Sequence, residues 1–427
     1  MKIEQLHELF LQCNSVSTDT RKIKKNDLFF ALKGENFNGN TYAEQALKNG
    51  AKYAVVDEAL FNTSNKTILV KNVLETLQKL ASHHRTYLNI PIIALTGSNG
   101  KTTTKELINA TLSQKYKTTA TIGNLNNHIG VPLTLLSMTD NTQIGIVEMG
   151  ANHQKEIEFL CNIAKPDYGY ITNFGKAHLE GFGSIEGVIK GKSEMYDFLI
   201  NHDKTIFVNG NDSIQIEKTK NTNRFIFGKN SRDFDININF INALPFVKCE
   251  YNKLEIASQL IGDYNFNNIT AAIAIGHYFK VEDNDIKAAI ENYTPTNNRS
   301  QIIQKDTNKI ILDAYNANPT SMQAALLNFE KQLSTKKIAL IGDMFELGKD
   351  ANKEHQNIAD LAASLNIDQV VLIGENFFKT QTKSNTTEQF KSFYDFKDWF
   401  DNSKIENTAI LIKGSRGMAL ERILEYL

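Results

Sequence analysis

Ile92-Ile93-Ala94-Leu95-Thr96-Gly97-Ser98-Asn99-Gly100-Lys101-Thr102-Thr103-Thr104 is the stretch whose reading decides the fold. Its apolar, β-branched start has the composition of a buried strand. The strand breaks into a turn carrying Gly97 and Gly100, then a lysine and three threonines, and Lys105 to Gln114 reads as a helix. A strand, a glycine-bearing turn and a helix start make an anion site, because the first N–H groups of a helix have no partner inside it and point outward. Lys101 adds a point charge for the outer phosphates of a nucleotide, and Thr102 offers a hydroxyl to Mg²⁺. The general phosphate-loop pattern has its first glycine where this chain has Leu95, still in the strand. The competing reading is a tight strand-to-helix turn with a surface lysine.

Around this stretch the chain is long, 427 residues, which predicts several domains. With 41% hydrophobic and 22% charged residues it has the composition of a soluble globular protein. Its formal net charge of −1 gives no basic excess for a nucleic-acid partner. Cys13, Cys161 and Cys249 are too scattered for a disulfide framework or a zinc site. There is no apolar run of membrane-spanning length, and the opening Met1–Gln5 lacks the apolar core of a signal peptide, so a cytoplasmic setting is expected.

Two further apolar runs belong beside the first. Gln143–Gly150 reads as a strand ending at Glu148, and in an open α/β sheet ligands bind beyond the carboxyl ends of the strands. Glu148 is thus placed to hold Mg²⁺ against the phosphates. Tyr168–Asn173 reads as a strand running into a glycine-rich loop with His178; imidazole is an unusual Mg²⁺ partner, and a lone loop histidine is more often a surface residue. A helix over Ile185–Leu199 carries Lys190 and Lys192.

Between Gly123 and Gly130 lie Asn124, Asn126, Asn127 and His128, side chains that suit substrate contacts and equally suit a rigid turn. Asn268 stands near the expected start of the helix Ile269–Phe279, as a cap or as a ligand for a base.

Residues 1–86 read as a small α/β unit in which Ser17, Asp19 and Arg21 suit either a phosphate or uracil edge, or an Asx-type turn. Residues 87–296 form the central unit and 297–427 a third, with strands at Lys309–Asp313, Lys336–Ile341, Gln369–Ile373 and Ala409–Lys413 alternating with helices. A helix is expected over Phe390–Phe400 and another from Met418 to the end. Arg299, Tyr315, Asp343, Lys413 and Arg416 fall on the rim of that unit, as ligand contacts or as exposed loop residues. The fold class is α/β with mostly parallel sheets covered on both faces. The chemistry left open by the residues is a kinase-like transfer, an ATP-driven ligase or a nucleotide switch.

The chain resembles the Mur ligases over essentially its whole length. The resemblance rests on Thr96–Thr103, Gly123–Asn127, His178–Gly183, Asp313–Pro319, Gly342–Met344 and Lys413–Gly417. The first run is shared with folylpolyglutamate synthases; the His178 and Tyr315 runs point to the dipeptide-adding member. The resemblance implies three domains: a small N-terminal α/β domain, a central domain like a P-loop ATPase and a C-terminal Rossmann-like domain.

It also implies a reaction, ATP-dependent joining of D-alanyl-D-alanine to the terminal carboxylate of UDP-N-acetylmuramoyl-tripeptide through an acyl phosphate, by a monomer. Another Mur step or a folate-type ligase is the alternative. On this resemblance Ser17, Asp19, Arg21, Asn38 and Gly39 bind the UDP end. Thr96, Gly97, Ser98, Asn99, Gly100, Lys101, Thr102, Thr103, Asn268 and Arg299 bind ATP, with Tyr315 and Asn316 near its base and ribose. Asn124, Asn126 and Asn127 face the muramoyl-peptide, and Asp343, Lys413, Ser415 and Arg416 face the reaction centre. Thr102 and Glu148 hold Mg²⁺, and His178 and Lys192 serve a second Mg²⁺. Lys192 does so on condition that its amine is carbamylated, with Lys190 as the local rival. Lys101, Glu148, His178 and Lys192 make up the catalytic set.

Overall fold

Alternation along the apolar strands builds three large sheets, beside a two-stranded ribbon of Lys33–Gly34 and Phe37–Asn38. In this computed structural model the described residues are 1–382, 384–400 and 405–427. The first sheet is parallel and four-stranded: Val16–Ser17, Leu28–Phe30, Tyr53–Val56, Thr67–Leu69. Successive residues of a strand point to opposite faces. Thus Phe29, Ala54 and Val56 pack with Ala43 and Ala46 of the helix Ala43–Lys48, while Leu28, Phe30 and Val55 join Leu6, Phe10, Leu77 and Leu80 in the main core. The helix Val73–Leu88, capped by the Asn72 side chain on the Glu75 N–H, packs against Ile3–Phe10 and also against Gly130–Leu136 and Glu156–Ala164 of the central unit.

The second sheet has nine strands, seven of them parallel, with Lys248–Tyr251 and Leu254–Ala257 antiparallel at one edge and Thr118–Ala120 at the other. The strand Ile92–Thr96 lies between Ile144–Glu148 and Tyr168–Ile171, so its turn opens beside the ends of both neighbours. Ile92 and Ala94 enter one core, and Ile93 and Leu95 another, where they meet Leu107, Ile108, Ile269 and Ile273 of two packed helices. The third sheet has six strands, with the antiparallel Gln301–Lys305 at one edge and five parallel strands beyond it. Mixed α/β architecture with parallel sheets is therefore as expected. Among the described residues no helix is long and apolar enough to cross a membrane.

Several element boundaries differ from expectation. The helix after the glycine turn begins at Lys101, with Gly100 at φ +78° just before it. A threonine run disfavours a helix because β-branched side chains lose rotamer freedom there. Here the hydroxyls of Thr102 and Thr104 are taken up by Glu148 and Asn268. The next central helix begins at Asn265, so Asn268 is its fourth residue and not its cap; Asn265 and Asn268 bond each other at 2.7 Å. Phe390 ends a strand, Thr387–Phe390, and the helix starts at Phe393. The chain finishes in two 3₁₀ turns, Arg416–Met418 and Leu420–Glu425, split by Ala419 at φ +48°.

Candidate active site

The glycines of the phosphate-type turn are forced by close approach. A Cβ on Gly97, which has φ +143°, would stand 2.0 Å from Thr172 Oγ1, and one on Gly100 2.5 Å from Asn268 Oδ1. Asn173, just past the neighbouring strand, holds the turn: the Asn99 N–H donates to its Oδ1 at 3.1 Å and its Nδ2 donates to Asn99 O at 2.9 Å. Ser98 Oγ donates to Gly175 O at 2.8 Å. Thr96 ends the strand wholly buried behind the turn.

Lys101 folds its amine over the loop, donating to Gly97 O at 2.7 Å and Ser98 O at 3.2 Å. Burial, against the attraction of Glu148 and with a smaller push from Arg299, brings this amine down to about 8. Thr102 Oγ1 donates to Glu148 Oε2 at 3.0 Å, and Asn126 Nδ2 donates to Glu148 Oε1 at 2.8 Å. Glu148 is 1% exposed.

Two oxygens that are neighbours in an Mg²⁺ octahedron with bonds of about 2.1 Å stand about 3 Å apart. The Thr102–Glu148 oxygen pair meets that spacing, and each carboxylate oxygen keeps lone pairs beyond its one donor. These residues fit the cation that the sequence leads one to expect.

His178, at φ +52°, sets its Nδ1 against the carboxylate of Glu346 from the third unit, itself at φ +61°. The carboxyl of Glu346 lies below its ordinary value because it accepts from His178. Lys192 is 1% exposed and donates to Ala151 O at 3.1 Å. Burial, and Lys101 after it, pull its amine well below the ordinary lysine value, against Glu156 and Glu194. Lys190 is exposed on the same helix.

Ser98, Asn99, Gly100, Lys101, Thr103, Glu148, His178 and Glu346 line one cavity of ≈ 730 Å³ between the central and third units, whereas the expected site residues Thr96, Gly97, Thr102 and Lys192 are not part of its lining. From the central unit Asn124, Asn126, Asn127, His128, Glu156 and Asn268 line it. Across from them stand Arg299, Tyr315, Asn316, Lys413, Ser415 and Arg416. The Arg299 guanidinium carbon lies 3.8 Å from the centroid of the Tyr315 ring. Lys413 Nζ donates to Asp313 Oδ2 at 2.6 Å. Asn127 also serves its own turn, accepting from the N–H groups of Ile129 and Gly130.

Three family patterns cover the chain: the "Mur ligase middle domain" matches residues 95–276, the "Mur ligase, glutamate ligase domain" 298–416, and the "Mur ligase family, catalytic domain" 12–85. The UDP-N-acetylmuramoyl-tripeptide–D-alanyl-D-alanine ligase of Bacillus subtilis (strain 168) is 35% identical over 97% of this chain and 93% of its own. The chain belongs to the Mur ligase family. Among solved Mur ligase structures, MurF from Acinetobacter baumannii superposes with a TM-score of 0.86 at 29% identity, covering 99% of this chain and 98% of its own. The Thermotoga maritima MurF ligase, solved in complex with ADP, gives 0.82 at 26% identity, covering 98% and 97%. The three-domain architecture of this Mur ligase matches theirs.

Not every expected residue meets the Mur ligase cavity. Ser17, Asp19, Arg21, Asn38 and Gly39 lie in the first sheet's unit and line none of it. There Arg21 donates twice to Asp19, whose carboxyl these bonds hold at about 2, and the Asp19 side chain also accepts the Arg21 N–H, as an Asx-type turn does. A Cβ on Gly39 would stand 2.1 Å from Leu32 O. Asp343 is buried, and its carboxylate accepts from the N–H groups of Asn376 and Phe377. It stands behind the cavity wall, where its carbonyl accepts from the N–H of Ser415.

Other site residues escaped the sequence reading. Asn173, Asn318, Phe345 and Glu346 all line the cavity. Asn318 donates to Asn99 Oδ1 at 2.7 Å across the two units while capping the helix Pro319–Glu330. An asparagine before the Pro319 that opens a helix was a visible capping signal. Nothing in the sequence marked Glu346 as facing His178.

Proposed function

We propose that this Mur ligase joins D-alanyl-D-alanine to the terminal carboxylate of UDP-N-acetylmuramoyl-tripeptide, splitting ATP to ADP and phosphate, in the cytoplasmic assembly of the peptidoglycan precursor. The observation that carries this is the single cavity in which the phosphate-type turn of the central unit faces a polar wall of the third. Near-full-length relatives bearing that activity in their names support the same reading. In it, residues 1–86 hold the UDP end, 87–296 hold ATP, and 297–427 close over it and bring in the dipeptide to a monomeric enzyme.

The peptide carboxylate attacks the γ-phosphorus, forming an acyl phosphate as the bond to the β-phosphate oxygen breaks and ADP leaves. The dipeptide amine then attacks the acyl carbon, the nitrogen gives up a proton, and phosphate departs with the electron pair of the broken C–O bond. Lys101 would leave its own loop carbonyls for the β- and γ-phosphate oxygens, where its charge opposes the negative charge that develops. Thr102 and Glu148 would hold Mg²⁺, with His178 and Lys192 at a second ion. When bound, the metal supplies charge neutralisation on the phosphoryl oxygens. Asn268, Arg299, Tyr315 and Asn316 would hold the nucleotide, and Asn124, Asn126 and Asn127 the muramoyl-peptide. Closure of the third unit would keep water from the acyl phosphate.

Lys192 enters this reading as a carbamate. Its depressed amine favours the neutral form, whose lone pair attacks the carbon of CO₂ to give a carboxylate-like carbamate with loss of a proton from nitrogen. Lys192→Ala should lose turnover and regain part of it with added short-chain carboxylic acids.

Phosphate release measured with each nucleotide-peptide, with and without D-alanyl-D-alanine, tests the whole. Release that requires ATP, the UDP-tripeptide and the dipeptide together is expected. Release with folate and glutamate instead, or none with the three, would overturn it.

A further inference from the structure

Arg299 stands on neither sheet. It is carried by residues 293–300, which run from the end of the helix Asp283–Asn292 to the strand Gln301–Lys305. Its guanidinium lies over the Tyr315 ring, and its Nε is buried with no hydrogen-bond partner among the described residues. What aims this side chain is therefore the backbone on either side of it. After it, the Ser300 N–H donates to Asp313 Oδ1 at 3.1 Å, and Ser300 Oγ shares a bond of 2.9 Å with the Tyr264 hydroxyl.

Before it, the chain is tied to one carboxylate. The Tyr293 hydroxyl donates to Glu106 Oε2 at 2.6 Å, and Asn297 Nδ2 donates to Glu106 Oε1 at 3.0 Å and Oε2 at 3.2 Å. Lys105 is the looser neighbour: its amine stands 3.6 Å from Glu106 Oε1 and donates to Thr121 O at 2.7 Å. The carboxylate thus serves the linker more than it serves Lys105.

Glu106 belongs to the helix Lys101–Leu112, about 7.5 Å along its axis from Lys101. It shares a face with Thr103, three residues earlier, which lines the cavity while Glu106 does not. The charge of Arg299 is felt both at Lys101 and at Tyr293, so it stands between the phosphate-type turn and this clamp.

Resting on the nucleotide role given to Arg299 above, we propose that Glu106 is a positioning residue for ATP. By fastening Tyr293 and Asn297 to the helix that follows the phosphate-type turn, it sets Arg299 at a fixed place relative to Lys101. One helix then carries both the turn that takes the phosphates and the anchor that aims a second cation at the same nucleotide.

The test is equilibrium binding of a fluorescent, non-hydrolysable ATP analogue to the full chain in the presence of Mg²⁺. Arg299→Ala should weaken binding by about 10-fold or more, the usual worth of bonds to a charged group. Glu106→Ala should weaken it by about 10-fold as well, and the double variant should bind no worse than Arg299→Ala, because nothing is left for Glu106 to place. Glu106→Gln keeps the shape and one acceptor oxygen and should recover most of the affinity. Tyr293→Phe, which deletes a single donor, carries the same comparison if Glu106→Ala does not fold. Effects that multiply in the double variant belong to a merely structural clamp and would overturn the proposal. So would native affinity in Glu106→Ala or in Arg299→Ala. A native chain that fails to bind the analogue would instead overturn the functional reading beneath it.

Discussion

The two junctions between the units of this molecule are built from different physics. The first sheet's unit meets the central one through an apolar core that runs from Leu6 and Leu77 into Val131 and Leu160. Buried Arg85 pins it, donating to Ala164 O, Lys165 O and, at 2.7 Å, to Asp167. A histidine relay adds to it. His84 Nε2 can only donate to Met138 O, at 2.9 Å, so its Nδ1 accepts from His7 Nε2 at 3.0 Å.

The second junction continues the same apolar core, through Leu179 and Phe182 to Met322, Met344 and Leu347, and its helix Leu179–Phe182 also meets the turn Gly348–Asp350. Around the cavity it is made of exchangeable polar pairs: Asn99 with Asn318, Lys176 with Glu354, His178 with Glu346. Its linker holds Asn298 and Ser300 at φ +55° and +51°. Water can replace each of those polar pairs at little cost, while it cannot replace an apolar core. The two junctions thus differ in how much of each consists of polar pairs that water can replace.

The sharpest break between them should come from Lys101→Ala. Turnover should fall by at least about 10³-fold, because a charge aimed at the phosphates is gone, while thermal unfolding stays close to the native midpoint. Arg85→Ala should do the reverse. It removes one partner of a largely buried ion pair and should cost about 2–3 kcal/mol of unfolding free energy by denaturant titration, with kcat per folded molecule retained. Asn318→Ala loses a helix cap and the bond to Asn99; it should cost about 1 kcal/mol and lower kcat several-fold, the mixed signature of a joint that serves the reaction.

The smallest effect is one of pH. Burial, with His84 and His83 behind it, holds the His7 imidazole down to about 4 from 6.5. Between those values the unfolded chain binds the extra proton, so stability rises with pH across that window and is fully present above it. Urea titrations from pH 4 to 7 should show this rise, and His7→Leu should flatten it.

The strand-turn-helix around Lys101 was legible because its apolar run and its glycines obey local rules. Glu148 followed from the strand that carries it. Local rules also misplaced boundaries: asparagines at 265–268 favour turns in isolation, yet here their side chains satisfy one another inside a helix. Pairs made across the junction were not legible. His178 and Glu346, or Asn99 and Asn318, meet only because two separately folded sheets dock, and no spacing in the chain records that. Asp343 looked like a cavity residue because it ends a strand, but its carboxylate is turned to Asn376 and Phe377.

The most direct test is a crystal structure of the enzyme with a non-hydrolysable ATP analogue and Mn²⁺, which gives an anomalous signal where Mg²⁺ would bind. The triphosphate should lie over Gly97–Thr102, with an anomalous peak about 2.2 Å from Thr102 Oγ1 and from the Glu148 carboxylate. A triphosphate lodged elsewhere, or a metal with neither residue as ligand, would contradict the account.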